Sequence, residues 1–300
     1  MMKIGNRDFD LESGNTYIMG ILNVTPDSFS DGGRYNERDA ALRHVEEMID
    51  AGADIIDIGG ESTRPGYLKV SESEEIERVC SILTAVKERF DIPVSIDSYK
   101  APVMKACIAA GGDMANDIWG LRYEIYNSEI DSSKMQTSDY EHISSMAKVV
   151  ADADVPVVIM HNDDFGRSLD ERQAADSENF VVERVSSGLM ESVEIALEYG
   201  IKKENIVIDP GVGFAKTQRE NLMVLNNMKK IIKTVGYPML LGASRKSVIG
   251  DALKLPKDQR EEGTLVTTVM AVTAGCSFVR VHDVEKNKRA IKMTRAILEA

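Results

Sequence analysis

The sequence has few cysteines and no pattern that would join them. Its three cysteines, Cys80, Cys107 and Cys276, are odd in number, lie far apart along the chain and form no CxxC pair. Disulfide frameworks and zinc knuckles need closely and regularly spaced cysteines. The spacing therefore argues against both classes, and the interpretation that fits best is three buried thiols.

Long apolar segments are also missing. No stretch of the 300 residues approaches the roughly 18 apolar residues that a membrane-spanning helix needs. The first fifteen residues carry charges and lack the apolar core of a signal peptide. These two absences predict a cytoplasmic protein.

Basic residues are outnumbered. The chain has 36 lysines and arginines against 49 aspartates and glutamates, so its formal net charge is −13. Excess negative charge repels nucleic-acid phosphates and anionic lipids. No run of basic residues offsets it. The composition therefore predicts neither a nucleic-acid partner nor a membrane partner.

No proline-rich linker, low-complexity tract or repeat divides the chain, which predicts a single domain over residues 1–300. Short apolar runs alternate with Gly/Ser/Asp-rich turns and helical patterns. The eight runs are 17–22, 55–58, 94–96, 114–115, 155–160, 206–208, 239–241 and 278–281. This alternation predicts an α/β fold, a (β/α)8 TIM barrel. A doubly wound sheet is the alternative, but no GxGxxG follows the first run.

Each apolar run ends in a polar group. In chain order the ends are Asn23, residues 59–64, Asp97, residues 116–117, His161, Asp209, residues 244–246, and Arg280 with His282. A single Asp or Asn after a strand is commonly only a turn residue or a helix cap. Eight together favour a barrel, because the C-terminal ends of its strands converge on one mouth. The pattern predicts one polar pocket.

These ends fall into two chemical groups. Carboxylates and an amide suit a flat heterocycle with an amino-pyrimidinone edge, and they are Asp97, Asn116 and Asp209. Cationic side chains suit a phosphate or carboxylate, and they are Arg64, Arg245, Lys246, Arg280 and His282. The pocket is therefore expected to bind a flat, anionic small molecule.

The polar ends belong to longer ordered motifs. The motifs are residues 23–33, 57–66, 95–98, 116–117, 209–211 with 213–214, 244–247 and 280–282. They resemble those of dihydropteroate synthase, an enzyme of folate biosynthesis, over about residues 17–297. Ordered motifs at every strand end are more specific than one short pattern.

The resemblance implies a barrel enzyme that condenses 6-hydroxymethyl-7,8-dihydropterin pyrophosphate with p-aminobenzoate. The products are 7,8-dihydropteroate and pyrophosphate, so the reaction is a transfer of a pterin-methyl group to an arylamine. The resemblance further implies a Mg²⁺ cofactor, a homodimer and competition between sulfonamides and p-aminobenzoate.

The resemblance also assigns roles to individual residues. The pterin would be bound by Asp97, Asn116, Asp209 and Lys246, with Ile118 and Met160 lining its faces. The pyrophosphate would be held by Asn23, Arg280 and His282, with Asn23 acting as a metal ligand to Mg²⁺. The p-aminobenzoate side would be formed by Thr63, Arg64, Pro65, Phe214 and Ser247. The catalytic residues would be Asp97, Lys246, Arg280 and His282.

Two other functions stay open. A methyltetrahydrofolate:corrinoid methyltransferase shares the barrel and the pterin carboxylates, but it requires neither a pyrophosphate site nor the segment 62–66, and both are present. A non-catalytic pterin-binding protein would keep the pocket, yet loss of turnover is expected to remove groups such as Arg280 and His282, and both are retained.

Some stretches depart from the family pattern. Residues 121–146 show little apolar periodicity, which predicts an insertion after the fourth strand. The residues after His161 differ from those common in the family, and Val212 and Ala215 stand where Phe and Gly are frequent. Residues 264–275 predict a helix that is apolar on nearly all sides, either a buried barrel helix or a dimer interface.

Overall fold

The computed structural model describes residues 1–24, 33–61, 69–124, 144–162 and 177–300. Their strands are β1 (Met2–Ile4), β2 (Arg7–Phe9), β3 (Tyr17–Asn23), β4 (Ile55–Gly59), β5 (Val94–Asp97), β6 (Met114–Asp117), β7 (Val157–Met160), β8 (Ile206–Asp209), β9 (Leu240–Leu241) and β10 (Phe278–Val281). Their α-helices are α1 (Gly33–Asp50), α2 (Glu72–Arg89), α3 (Ala101–Ala109), α4 (Ser145–Ala153), α5 (Glu178–Glu198), α6 (Gln218–Asn226), α7 (Met228–Val235), α8 (Ser247–Leu253), α9 (Glu261–Ala274) and α10 (Val284–Leu298).

Strands β3 to β10 form one parallel sheet of eight strands, in the order β8-β7-β6-β5-β4-β3-β10-β9. The two end strands meet through a single parallel bridge between Ile208 and Met239, where the Ile208 amide donates to the Pro238 carbonyl at 2.9 Å. The sheet therefore curves into a barrel. This confirms the predicted (β/α)8 fold and excludes the open, doubly wound sheet.

The strands are apolar because both of their faces are buried. Every position of β7 and of β8 is buried, in the sequences VVIM and IVID. In a parallel barrel, one face of each strand fills the interior and the other meets the helices, so alternation with polar residues is lost. All eight predicted runs coincide with a barrel strand to within two residues at each end, and are confirmed.

Helix α2 shows how the outer layer is specified. The Ser71 hydroxyl accepts from the Glu74 amide at 3.3 Å and caps the first turn. The first turn is acidic and the last turn contains Lys87 and Arg89, which complements the helix dipole. Val79, Leu83 and Val86 are buried against the barrel. The sequence therefore determines both where α2 begins and ends and which of its faces packs on the barrel.

The N-terminal end of the barrel is plugged. Met2, Ile4 and Phe9 of the β1/β2 hairpin form a buried cluster with strand residues that include Met19 and Phe278. The ring centroid of Phe9 lies 6.0 Å from that of Phe278. The hairpin thus covers this end with apolar side chains, and polar groups gather at the C-terminal end.

Some sequence predictions fall on other parts of the chain. Most of the predicted insertion at 121–146 lies at 125–143, outside the described residues, and the altered loop after His161 continues into 163–176, also outside them. The insertion and the single-domain organisation over 1–300 stay predictions. Among the described residues, no helix is both long and apolar enough to cross a membrane.

Candidate active site

Three of four neighbouring strands carry a predicted site residue at their C-terminal ends. Asn23 of β3 is in register with Gly59 of β4, Gly59 with Asp97 of β5, and Asp97 with Asn116 of β6. Parallel strands bring these ends to the same edge of the barrel. The metal-ligand candidate Asn23 and the pterin-binding candidates Asp97 and Asn116 therefore share one rim.

The other strands complete the mouth. Met160 at the end of β7 is in register with Asp209 at the end of β8. Lys246 follows β9 and precedes α8, whereas Arg280 lies on β10 and His282 directly follows that strand. The structure thus places the predicted pterin and pyrophosphate residues around one opening, as the strand ends indicated.

Arg280 joins two carboxylates across the barrel. Its Nε donates to Oδ2 of Asp57 and its Nη2 donates to Oδ2 of Asp97, both at 2.5 Å. The amide nitrogen of Asn116 lies 3.3 and 3.4 Å from the two Asp57 oxygens. The side chain of Asp57 is fully buried, and that of Arg280 is 18% exposed. One guanidinium therefore compensates two negative charges.

Asp97 titrates near neutral pH. Burial raises the pKa of Asp97 to about 7; the Arg280 charge opposes this, whereas the Asp57 charge adds to it. The same two carboxylates overcome the effect of burial on Arg280 and raise its pKa, so the guanidinium stays charged. The cluster holds a carboxylate that can accept ring N–H groups once it is ionised.

Replacing Asp97 by asparagine is expected to change how stability depends on pH. The folded-state pKa of about 7 lies above the ordinary value of 3.8, so the wild type loses stability relative to the variant as pH rises from about 4 to about 7. The free energy of unfolding, measured with urea at pH 5 and pH 8, should shift in favour of Asp97→Asn. Asp50→Asn, at an exposed position, is the matched control for the chemical change itself. A difference between Asp97→Asn and wild type that is independent of pH would contradict the assignment.

Lys246 and Asp209 form a second polar corner. The Lys246 ammonium donates to the Val212 carbonyl at 2.7 Å and lies 4.5 Å from the centre of the Phe214 ring. Burial lowers the pKa of Lys246 to about 8, against the opposing charge of Asp209. Burial also raises the pKa of Asp209, against the opposing charge of Lys246. A donor and an acceptor side by side suit a ring edge that has both C=O and N–H groups.

The backbone before Lys246 is strained. Arg245 has a φ of +57°, a left-handed conformation that is uncommon for a residue with a side chain. Its amide donates to the Thr264 hydroxyl at 3.1 Å, and its carbonyl accepts from Arg260 at 3.2 Å. Such strain persists where surrounding contacts over-determine it, often at functional sites. The start of α9 thereby fixes the turn that carries Lys246.

The loop after β8 is held by Lys216. Its ammonium contacts Nδ1 of His161 at 2.9 Å and donates to the carbonyls of Gly211 and Phe214 at 3.0 and 3.2 Å. Gly211 has a φ of +68°, and a Cβ there would lie 1.9 Å from the His161 carbonyl oxygen, so only glycine fits. Val212, where the sequence departs from the family, is fully buried. The loop keeps a defined shape despite that change.

His282 is oriented by Ser244. The Ser244 hydroxyl lies 2.9 Å from Nδ1 of His282 and accepts from the His282 amide at 3.2 Å. Ser244 is buried, whereas His282 is half-buried. The two contacts fix the imidazole at the rim, beside the strand that carries Arg280.

The remaining predicted residues differ in their exposure. Met160 is buried, Ile118, Phe214 and Asn23 are half-buried, and Ser247 is exposed as the first residue of α8. Thr63, Arg64 and Pro65 lie outside the described residues, so their predicted role stays a prediction.

Sequence reasoning missed Asp57 and the orienting role of Ser244. Asp57 lies inside an apolar run, whereas the strand-end pattern identifies only residues at the end of a run. A lone carboxylate within a buried strand is itself a signal, because an ionised group there needs a partner. Here the partner is Arg280, 223 positions away.

A (β/α)8 barrel with buried acids and cations at its C-terminal mouth has the arrangement of an enzyme active site. The chain matches the model of the family described as "Pterin binding enzyme" over residues 19–282. This match covers most of the chain and all the barrel strands apart from the first two residues of β3.

Comparison with individual proteins shows which pterin-binding enzymes the chain is similar to. A dihydropteroate synthase of Clostridium beijerinckii is 51% identical over 298 residues, 99% of each chain. A crystal structure of dihydropteroate synthase from Clostridium difficile with pteroic acid is 42% identical, with a TM-score of 0.81 and full coverage of both chains. The Xanthomonas albilineans enzyme with 4-aminobenzoic acid is 34% identical, with a TM-score of 0.85 and coverage of 100% and 98%. The chain belongs to the dihydropteroate synthase family of pterin-binding enzymes.

Proposed function

We propose that this chain condenses 6-hydroxymethyl-7,8-dihydropterin pyrophosphate with p-aminobenzoate, giving 7,8-dihydropteroate and pyrophosphate. The observation that carries the proposal is the gathering of two buried carboxylates and two cations at one barrel mouth: Asp97 is bonded to Arg280, and Asp209 lies close enough to Lys246 for the lysine charge to oppose the rise in the pKa of the carboxyl. Membership of the family, in which the relatives are transferases of folate biosynthesis, supports the same reaction. It also removes the methyltransferase alternative.

The acidic corners suit the pterin. Asp97, Asn116 and Asp209 provide two carboxylates and an amide for the ring N–H and C=O groups, and Lys246 adds a donor. Met160, and Ile118 next to β6, supply apolar contacts for a flat ring. The pterin is thus recognised by its hydrogen-bonding edge and held between apolar side chains.

The cations suit the pyrophosphate. Arg280 and His282 lie together at the end of β10, and Asn23 lies at the end of the neighbouring strand β3. Binding of the pyrophosphate would redirect Arg280 from Asp57 and Asp97 toward the leaving group. The two carboxylates would then be freed for other hydrogen bonds.

The residues at this rim fit Mg²⁺. Among the described residues, no three His, Cys, Asp or Glu side chains are grouped to hold a metal ion, whereas Asn23 offers a hard amide oxygen. Mg²⁺ commonly keeps several waters and binds through few protein ligands together with substrate phosphates. Asn23 would therefore hold it jointly with the pyrophosphate, where it would supply charge neutralisation for the leaving group.

The reaction then requires placement and charge stabilisation. The C–O bond of the pterin methylene breaks and its electron pair leaves with the pyrophosphate. The amine nitrogen of p-aminobenzoate forms the new C–N bond and gives up a proton to water or to the released pyrophosphate. Arg280 and His282 stabilise the departing negative charge, and the barrel rim aligns the amine. Cys276 plays no part, because it is buried and its sulfur lies 3.9 Å from that of Met228.

Pyrophosphate release is expected only when both substrates and Mg²⁺ are supplied. A sulfonamide, which resembles p-aminobenzoate in shape and charge, should raise the apparent KM for p-aminobenzoate without changing kcat. Coupled pyrophosphate detection checks both expectations. Tight pterin binding with no release by well-folded protein would instead support the non-catalytic alternative.

A homodimer belongs to the same proposal. Helix α9 exposes Val266 and Val269, and the adjacent α10 exposes Met293 and Ile297, each of the four more than a third exposed. The buried face of α9 packs inward through Thr264, so the helix is part barrel wall and part apolar surface. An exposed apolar patch of this kind favours a subunit contact. A single 33 kDa species in sedimentation at micromolar concentration would contradict it.

The cytoplasm is proposed as the place of action. Cys80, Cys107 and Cys276 all carry free thiols, as is usual in a reducing compartment. Localisation of a tagged chain by cell fractionation would test this.

A further inference from the structure

Lys100 is a buried cation with three partners. Its ammonium donates to Oε2 of Glu61 at 2.6 Å, to the Val70 carbonyl at 2.6 Å and to Oε2 of Glu75 at 2.7 Å. The side chains of Lys100, Glu61 and Glu75 are 10%, 8% and 1% exposed. One ammonium thus neutralises two carboxylates and satisfies a backbone carbonyl away from water.

The partners lie on both sides of the segment 62–68. Glu61 precedes the segment and Val70 follows it. Glu61 also accepts from the Val70 amide at 2.8 Å and from the Tyr99 hydroxyl at 2.9 Å. The two ends of the segment are therefore bonded to each other and, through Lys100, to the turn after β5.

We call the network of Lys100 with Glu61, Val70 and Glu75 the anchor, and helix α2 connects it to the end of β4. Glu75 binds Lys100 from the first turn of α2, and Arg78 one turn later donates to the Gly60 carbonyl at 3.4 Å. A Cβ at Gly60 would lie 2.7 Å from Cγ2 of Val79, so the strand end packs directly on the helix. The start of the segment is held on a rigid element rather than on another loop.

Stability alone does not account for this cluster. The attraction within a buried ion pair often fails to offset the free energy lost when both charges leave water. Apolar residues of similar volume therefore often stabilise a fold as well or better. Burial acts to lower the pKa of Lys100, but its bonds to Glu61 and Glu75 outweigh burial and raise it. The lysine therefore stays charged, and what the cluster provides is a fixed arrangement of its partners.

The anchor is connected to the turn that carries Asp97, a predicted pterin-binding residue. Lys100 follows Asp97 by three residues, and its amide donates to the Ser98 hydroxyl at 3.3 Å at the start of α3. The turn that presents a pterin-binding carboxylate thus also holds both ends of the segment that contains Thr63, Arg64 and Pro65.

We propose that Lys100 is a positioning residue for the second substrate: by fixing Glu61 and Val70 it sets the affinity for p-aminobenzoate. This inference rests on the proposed function. Lys100 acts through other residues and touches neither substrate. Its loss is therefore expected to weaken p-aminobenzoate binding and leave pterin binding in place.

The test compares Lys100→Met with Lys87→Met. Lys87 lies in α2, and its ammonium forms a 2.8 Å ion pair with Asp113. Asp113 directly precedes β6, so this pair lies away from the mouth of the barrel. The same substitution at Lys87 therefore also breaks an ion pair, but not one near the candidate site. A double variant, Lys100→Met with Glu75→Gln, removes one of the two carboxylates left unpaired and guards against failure to fold.

We expect both Lys100 variants to raise the KM for p-aminobenzoate at least tenfold. The Kd for the pterin pyrophosphate, measured calorimetrically without p-aminobenzoate, should change less than twofold. Lys87→Met should change neither. An equal KM in the folded Lys100 variants and in Lys87→Met would overturn the inference, since a purely structural role lowers stability without separating the two substrates.

Amide exchange gives a readout that needs no turnover. The Val70 amide, which donates to Glu61, should exchange at least tenfold faster in the Lys100 variants than in wild type, and unchanged exchange would overturn the anchor. A wild type that binds the pterin but releases no pyrophosphate would defeat the proposed function, while the exchange measurement would still decide whether Lys100 fixes the two ends.

Discussion

Replacing Lys246 by alanine is expected to slow pyrophosphate release by roughly a hundredfold to a thousandfold, the usual effect of losing a preorganised donor at a reacting centre. The ammonium lies in the corner with Asp209 and contacts the loop that carries Val212 and Phe214. Without it, the pterin loses a donor and Asp209 loses its compensating charge. The rate is measured with both substrates at saturation.

The fold should survive this change. Burial already raises the pKa of Asp209 against the charge of Lys246, so without Lys246 the carboxyl takes up a proton and no uncompensated charge stays buried. Lys229→Ala, at an exposed position of α7, is the matched control and should keep the wild-type rate. A near-normal rate for Lys246→Ala would show that the family's assignment does not transfer to this residue.

Replacing Arg280 by methionine is expected to affect both stability and turnover. Methionine preserves much of the apolar bulk but leaves Asp57 and Asp97 buried without their cation. Removing one partner of a buried ion pair typically costs about 3–5 kcal/mol. Turnover should be lost as well, since the leaving pyrophosphate loses its guanidinium.

The pH dependence separates this effect from a general loss of packing. At pH 5 Asp97 takes up a proton, so fewer uncompensated charges remain and the loss in free energy of unfolding should be smaller than at pH 8. Arg289→Met, which breaks an exposed pair with Glu285, should cost well under 1 kcal/mol at either pH. An equal loss for Arg280→Met at both pH values would show that Asp97 does not titrate as assigned.

The barrel and the position of its mouth were predictable from sequence. Runs such as 206–208 are apolar at every position because both faces of a barrel strand are covered, and the polar residue that ends each run marks the rim. Asp97, Asn116, Asp209 and Arg280 were found by this rule alone.

The ion network was not predictable in the same way. Lys100 reaches Glu61 and Glu75, which lie 39 and 25 positions earlier, and nothing local in the sequence selects these partners. The choice depends on how α2 and the turn after β5 pack together. Pairing of buried charges is therefore decided by tertiary geometry, whereas strand ends are decided by local composition.

The seam of the barrel has a consequence for ligand binding. Strand β9 has only two residues and is joined to β8 by the single bridge at Ile208 and Met239, so this is the join with the fewest backbone bonds. Asp209 ends β8 and Lys246 follows β9, so the two side chains face each other across that join. A pterin bound to both side chains would bridge the two strands through its own hydrogen bonds. Substrate binding would then stabilise the β8–β9 join, which few backbone hydrogen bonds hold together in the chain alone.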